Sequence, residues 1–122
     1  MEVMETHDRL AKIFQALSHP VRLYILEALS EQECCVCHLA ALLGRPQPYV
    51  SQQLATLREA GLISDRSEGT YVYYHISDEQ VVALLTLARE LLRRQGKLAE
   101  FPLPTVSEGP IAGCPCPRCQ SG

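Results

Sequence analysis

At 122 residues, 47% of them apolar, the chain has material for one small domain and a short extension. Such a domain builds an adequate core only if most of its helices pack together or the chain dimerises. A net charge of −3 counts against nucleic acid as a partner. No stretch approaches the length of a membrane span and Met1–Lys12 carries no signal-peptide pattern, so the expected location is cytoplasmic, with no membrane partner. Six cysteines in that compartment point to metal or redox chemistry rather than to a disulfide framework.

From Val3 to Leu17, the residues Leu10, Ile13, Phe14 and Leu17 share a stripe and read as a first helix. Ser18-His19-Pro20 breaks it, and Pro20 suits the first position of a second helix running to about Ser30. Polar residues through Glu33 lead into a short third helix, roughly Cys35 to Leu43, stopped by Gly44 and Pro46. The next helix carries Val50, Leu54 and Leu57 at i, i+4 and i+7. It ends at Ala60-Gly61-Leu62, where Gly61 is expected to be left-handed and Leu62 to fold back onto the last turn. The period then drops to two: Leu62–Arg66 and Tyr71–Ile76 read as strands joined through Ser67-Glu68-Gly69-Thr70. Ser77-Asp78-Glu79-Gln80 has the capping-box form, with Ser77 the expected cap of a last helix reaching about Gln95. The apolar residues of that helix, from Val81 and Val82 to Leu91 and Leu92, cover more than one face. A well-buried helix would account for them, but on so small a domain pairing with the first helix of a second subunit accounts for them better. Residues 101–122 hold five of the eight prolines and no apolar period. The expected division is a domain over 1–97 and a flexible Pro/Cys-rich tail over 98–122.

A helix followed at once by a hairpin is the second half of a winged helix-turn-helix. The expected fold is therefore mainly α with a small β-hairpin, and the helix after Pro46 is expected to read double-stranded DNA. Opposite its apolar stripe lie Pro48, Ser51, Gln52 and Ala55, flanked by Tyr49 and Thr56, with no long charge among them. A recognition helix enters the major groove by its N-terminal end, where Gln47, Tyr49, Ser51 and Gln52 sit. A glutamine amide accepts from adenine N6 and donates to N7, and a serine donates to a base or a phosphate. Arg45, Arg58 and Arg66 are the candidate phosphate contacts, the last of them on the wing with Gly69. Glu59, Asp65 and Glu68 balance those three arginines between Arg45 and His75, so the unit is neutral and its salt dependence is expected to be shallow. On an isolated helix these polar residues would simply be a solvated face; the hairpin behind them favours reading.

The run from Leu17 to Ile76 closely resembles the ArsR/SmtB family of metal-sensing winged-helix repressors. The resemblance is carried by Ala16-Leu17-Ser18-His19-Pro20-Val21-Arg22 and Glu33-Cys34-Cys35-Val36-Cys37-His38-Leu39. It continues through Val50-Ser51-Gln52-Gln53-Leu54 and Leu57-Arg58-Glu59-Ala60-Gly61-Leu62 to Glu68-Gly69 and Tyr74. The family implies a homodimer, joined by its first and last helices, that binds a palindromic operator and leaves it when metal binds. Gln47, Ser51 and Gln52 match positions that contact operator DNA in the family; Pro48 departs from the small hydroxyl usual there.

Cys34, Cys35 and Cys37 stand together at the predicted start of the third helix. One buried cysteine packing a helix start is ordinary, but three within four residues are not. Thiolates are soft ligands for soft ions. Side chains two apart in a helix point about 200° from each other. Cys35 and Cys37 are therefore expected to close on one ion only by unwinding that turn. The tail adds Cys114, Cys116 and Cys119; a linker of ~18 residues spans about 23 Å, enough to reach the third helix of either subunit. Cys35-Val36-Cys37 corresponds to the signature of arsenic- and cadmium/lead-responsive relatives, which implies As(III)/Sb(III) or Cd(II)/Pb(II) as effector. Cys34 stands where those members carry leucine, and Ala40 where some arsenite sensors carry a third cysteine. Zinc-type members place Asp and His ligands on the last helix; here Asp78 matches, but Gln80, Leu91 and Arg94 cannot build that site.

The leading expectation is a repressor released by a thiophilic ion. An alternative keeps the scaffold but makes the trigger oxidation or persulfide, with a disulfide between helix and tail cysteines. A thiol oxidoreductase or metal carrier would leave Gln47–Gln53 and the hairpin without a purpose. His7, His19, His38 and His75 are scattered and form no catalytic dyad, so no enzyme activity and no small-molecule substrate are expected.

Overall fold

The computed structural model describes residues 2–96. Five helices and three short strands follow in the order α1 (Glu2–Leu17), α2 (Pro20–Glu31), β1 (Cys34–Cys35), α3 (Val36–Leu43), α4 (Gln47–Glu59), β2 (Ile63–Glu68), β3 (Tyr71–Ile76) and α5 (Glu79–Arg94). The expected boundary at residue 97 and the tail cysteines Cys114, Cys116 and Cys119 lie outside the described residues. Among the described residues no helix is long and apolar enough to cross a membrane.

Local chemistry sets most helix ends. His19 caps α2, its Nδ1 accepting from the Val21 amide at 3.2 Å, and Pro20 starts the first turn. At the end of α4, Gly61 takes φ +79° and donates to the Arg58 carbonyl, while the Leu62 amide reaches back to the Leu57 carbonyl at 3.1 Å. That pair of bonds is the Schellman stop expected from Ala60-Gly61-Leu62, and Leu62 is buried beneath it. The last helix begins one residue later than its capping-box pattern implied. Asp78, not Ser77, is the cap, accepting from the Gln80 amide at 2.8 Å. Ser77 Oγ donates instead to the Gly61 carbonyl at 2.7 Å, tying the exit of the hairpin to the end of α4.

Val50, Leu54 and Leu57 of α4 are fully buried against Ile25 and Leu26 of α2 and Leu39 of α3, so the predicted stripe faces the core. Much of the apolar surface of α1 and α5 does not: Phe14 is 56% exposed, Leu87 68% and Leu91 60%, although Ala16 and Val81 reach the core. An ion pair between Glu27 and Arg89 holds α5 to α2.

The sheet is larger than the predicted hairpin. It has three antiparallel strands in the order β1-β3-β2, with Cys34 opposite Tyr74 and Cys35 opposite Tyr73. Cys34 and Cys35 therefore belong to an extended segment, and α3 starts only at Val36. Because neighbours on a strand face opposite ways, Cys34 joins the main core, whereas Cys35 and Tyr73 meet Cys37 and Tyr71 in a second small cluster.

Candidate nucleic-acid interface and thiol pair

Helix α4 presents Gln47, Pro48, Ser51, Gln52 and Ala55 to solvent, with Tyr49 half-buried. Among the described residues no group bonds to the side chains of Gln47, Ser51 or Gln52, so their amides and hydroxyl are available to an incoming duplex. The Arg45 guanidinium lies over the Tyr49 ring, 5.3 Å from its centroid, which holds both beside the first turn of α4.

The other two candidate arginines are engaged. Arg58 Nη1 meets Asp65 Oδ2 at 2.9 Å, joining the end of α4 to β2. Arg66 grips Glu33 with two of its nitrogens, its Nε donating to Oε2 at 2.9 Å, and approaches Glu68 at 3.8 Å. Its guanidinium also stacks on Tyr73 at 5.1 Å. The hydrogen bond to Glu33 raises its already high pKa further. Both pairs lie at the protein surface, where water screens their attraction.

Two residues that sequence reasoning passed over hold α4 in place. Gln53 points inward, 8% exposed, and its Oε1 accepts from Arg22 Nη1 at 3.0 Å. The same guanidinium donates to the carbonyls of Ala16 at 2.7 Å and Gln15 at 3.1 Å. A polar residue inside the buried arc of an amphipathic helix was the available signal. Its partner stands 31 positions away and has no local signature. Glu33, which anchors Arg66, was likewise given no role beyond the polar connection and the family resemblance.

At the sheet face, Cys35 Sγ and Cys37 Sγ lie 2.8 Å apart, well beyond the ~2.05 Å of a disulfide. The expectation that they could converge only by unwinding a helical turn is overturned. Cys35 is the cap of α3 rather than part of it, with extended φ −83° and ψ 166°, and its sulfur accepts from the His38 amide at 3.4 Å. The 200° separation applies only to two residues inside one helix. Cys34 stands apart, its thiol donating to the Gln32 carbonyl at 3.4 Å within the main core. Two sulfurs side by side are a fitting start for a soft-ion site. Among the described residues, however, no group of three or more candidate ligands gathers around them.

Residues 19–65 match the family model described as bacterial regulatory protein, arsR family. An uncharacterized HTH-type transcriptional regulator of Methanocaldococcus jannaschii is 40% identical over 89 residues, which are 72% of this chain and all of that relative. The chain belongs to the ArsR family. It is similar also to the arsenical resistance operon repressor of Escherichia coli, 45% identical over 67 residues covering 54% of this chain and 57% of that one. Among solved structures it resembles the homodimeric winged helix-turn-helix DNA-binding domain of a possible ArsR-family regulator from Mycobacterium bovis. That match has a TM-score of 0.71 and 32% identity, covering 75% of this chain and 84% of that chain. As an ArsR-family protein the chain is a winged helix-turn-helix transcriptional regulator, and its relatives are regulators rather than enzymes. In this ArsR-family regulator α4 with the hairpin β2–β3 forms the second half of the winged helix-turn-helix.

Proposed function

We propose that this ArsR-family chain is a homodimeric repressor that binds a palindromic operator and releases it when a thiophilic ion binds at Cys35 and Cys37. The ion is As(III) or Sb(III), or else Cd(II) or Pb(II). The observation that carries the reading is the sulfur pair at 2.8 Å, set at the cap of α3 and packed on Tyr73 of the wing. Two thiolates are one short of the three that a trivalent arsenic or antimony centre takes. Cys114, Cys116 and Cys119 of the tail and Cys34 are the other thiol donors, and the place of Cys34 in the main core favours a tail cysteine.

Cys35 and Cys37 would hold the ion as thiolates, and their spacing would adjust to it. As a ligand, Cys35 would give up the hydrogen bond it accepts from the His38 amide, which would loosen the first turn of α3. Tyr73 packs on these sulfurs and carries Arg66 on its ring, so the wing is displaced along with α3. The switch is a loss of cap and a shift of the wing rather than the unwinding of a turn.

Operator reading falls to Gln47, Tyr49, Ser51 and Gln52, with Arg45, Arg58 and Arg66 on phosphates. Truncating Gln52 to alanine is expected to weaken the selected operator by about 1–3 kcal/mol while leaving random duplex nearly unchanged. Competition gel shifts measure both; an equal loss on the two duplexes would remove Gln52 from base readout.

The effector is tested by titrating the operator complex with arsenite, antimonite, cadmium and lead while following thiolate-to-metal absorbance. Dissociation is expected to track that absorbance for at least one of the four. The closeness of the sulfurs also favours a redox reading, tested by polysulfide and peroxide in chelator. Release by those oxidants alone, with no response to any ion, would transfer the function to thiol oxidation.

A further inference from the structure

The side chain that joins the end of α1 to the recognition helix belongs to neither. Arg22 sits in the first turn of α2, and its planar guanidinium is held at three points. Two are the carbonyls of Gln15 and Ala16, in the last turn of α1 where helical partners run out; that of Gln15 also accepts from the Ser18 amide at 3.2 Å. α1 has no basic residue in its last turn, so Arg22 supplies from outside both the hydrogen bonds and the positive charge that this end favours. The third point is Oε1 of Gln53, on the buried side of α4. Gln53 lies between Ser51 and Gln52, which face solvent, and Leu54, which is fully buried. Rotation of α4 about its axis, or sliding along it, would therefore pull Gln53 off the guanidinium.

We infer that Arg22 is a positioning residue for DNA reading. By fastening α4 to the end of α1 it sets how far apart, and at what angle, the two recognition helices of a dimer stand. The inference rests on the proposed dimer, in which the exposed apolar face of α1 (Val3, Leu10 and Phe14) meets the second subunit. The geometric consequence is definite. A dimer reads two half-sites at a fixed separation, so an error in the placement of α4 is doubled across the two-fold axis. Hydrophobic packing of Val50, Leu54 and Leu57 secures α4 against the core but is non-directional. The fork of charge-assisted hydrogen bonds is directional, and lysine cannot reproduce it, because a point charge on a flexible stem cannot hold three acceptors in one plane.

The test uses the full chain and a palindromic operator that it selects from a random duplex library. That operator is rebuilt with its half-sites one base pair closer and one base pair further apart. Gln53→Leu is the main variant, since it fills the buried position, keeps Arg22 on α1 and removes only the acceptor. Its expected effect is at least a tenfold loss of preference for the selected spacing, with affinity for an isolated half-site changed less than threefold. Arg22→Lys is expected to lose preference in the same sense, and Gln53→Glu, which retains an acceptor, to restore it. Gln53→Leu discriminating spacings as sharply as the parent, or losing affinity equally for all duplexes, would overturn the inference while leaving the dimer intact. A parent protein indifferent to half-site spacing would overturn the dimer reading, and the role of Arg22 with it.

Discussion

Cys35→Ser is expected to bind the operator within about twofold of the parent and to require on the order of 100-fold more arsenite or cadmium for release. Even the loss of a supporting hydrogen-bond partner around a metal costs about 10–100-fold in affinity, and this change deletes a ligand. The variant is informative because the position has two jobs that serine separates. As the cap of α3, Cys35 accepts from the His38 amide through a large, weakly accepting sulfur at 3.4 Å. Serine is among the preferred capping residues, so the helix start is kept or improved while the soft donor is lost. Cys37→Ser, inside the first turn of α3, is expected to show the same loss of response without touching the cap. Fluorescence anisotropy on a labelled operator, with ion titrated in, reads both quantities at once. A Cys35→Ser protein that still dissociates at the parent's ion concentration would sink the proposed effector site.

Leu87→Glu on α5 carries the second large effect. Leu87 is 68% exposed and Phe14 of α1 is 56% exposed, and neither contributes to the buried core of its own subunit. A glutamate at either position costs the folded monomer little but places a charge in the proposed subunit contact, where desolvation opposes it. Sedimentation is expected to show a folded monomer. Operator affinity is expected to fall by about 10²–10³, because two half-sites then no longer bind as one linked unit. Phe14→Glu is expected to behave alike. If both variants sediment as dimers and keep their affinity, the subunits meet elsewhere, and the exposed faces of α1 and α5 need another explanation.

Helices and their ends were largely legible in the chain because they depend on residues a few positions apart. The stripe Val50, Leu54, Leu57 encoded the buried side of α4, and Gly61 with Leu62 encoded its stop. Family resemblance and this pattern agreed on the reading helix and the wing. Even local rules had limits: Ser77 and Asp78 are both good caps, and Ser77 lost the role because its hydroxyl found the Gly61 carbonyl sixteen residues back. β1 has two residues, too few for any period to register, and exists only because β3 offers it an edge.

Periodicity and capping chemistry marked the helices and the run of cysteines put sulfur near the start of α3, since these act over one or two turns of chain, while the helix–hairpin order and the family resemblance pointed to a DNA-binding regulator. Folding settled which sulfurs meet. Pairing with Tyr74 and Tyr73 turns Cys34 into the core and stretches Cys35 beside Cys37, a consequence of backbone hydrogen bonds to residues about forty positions away. It likewise occupied Arg58 and Arg66 with carboxylates and set Arg22 on Gln53. Such contacts are chosen by the geometry of the packed elements, and neighbouring residues in the chain do not identify the partners.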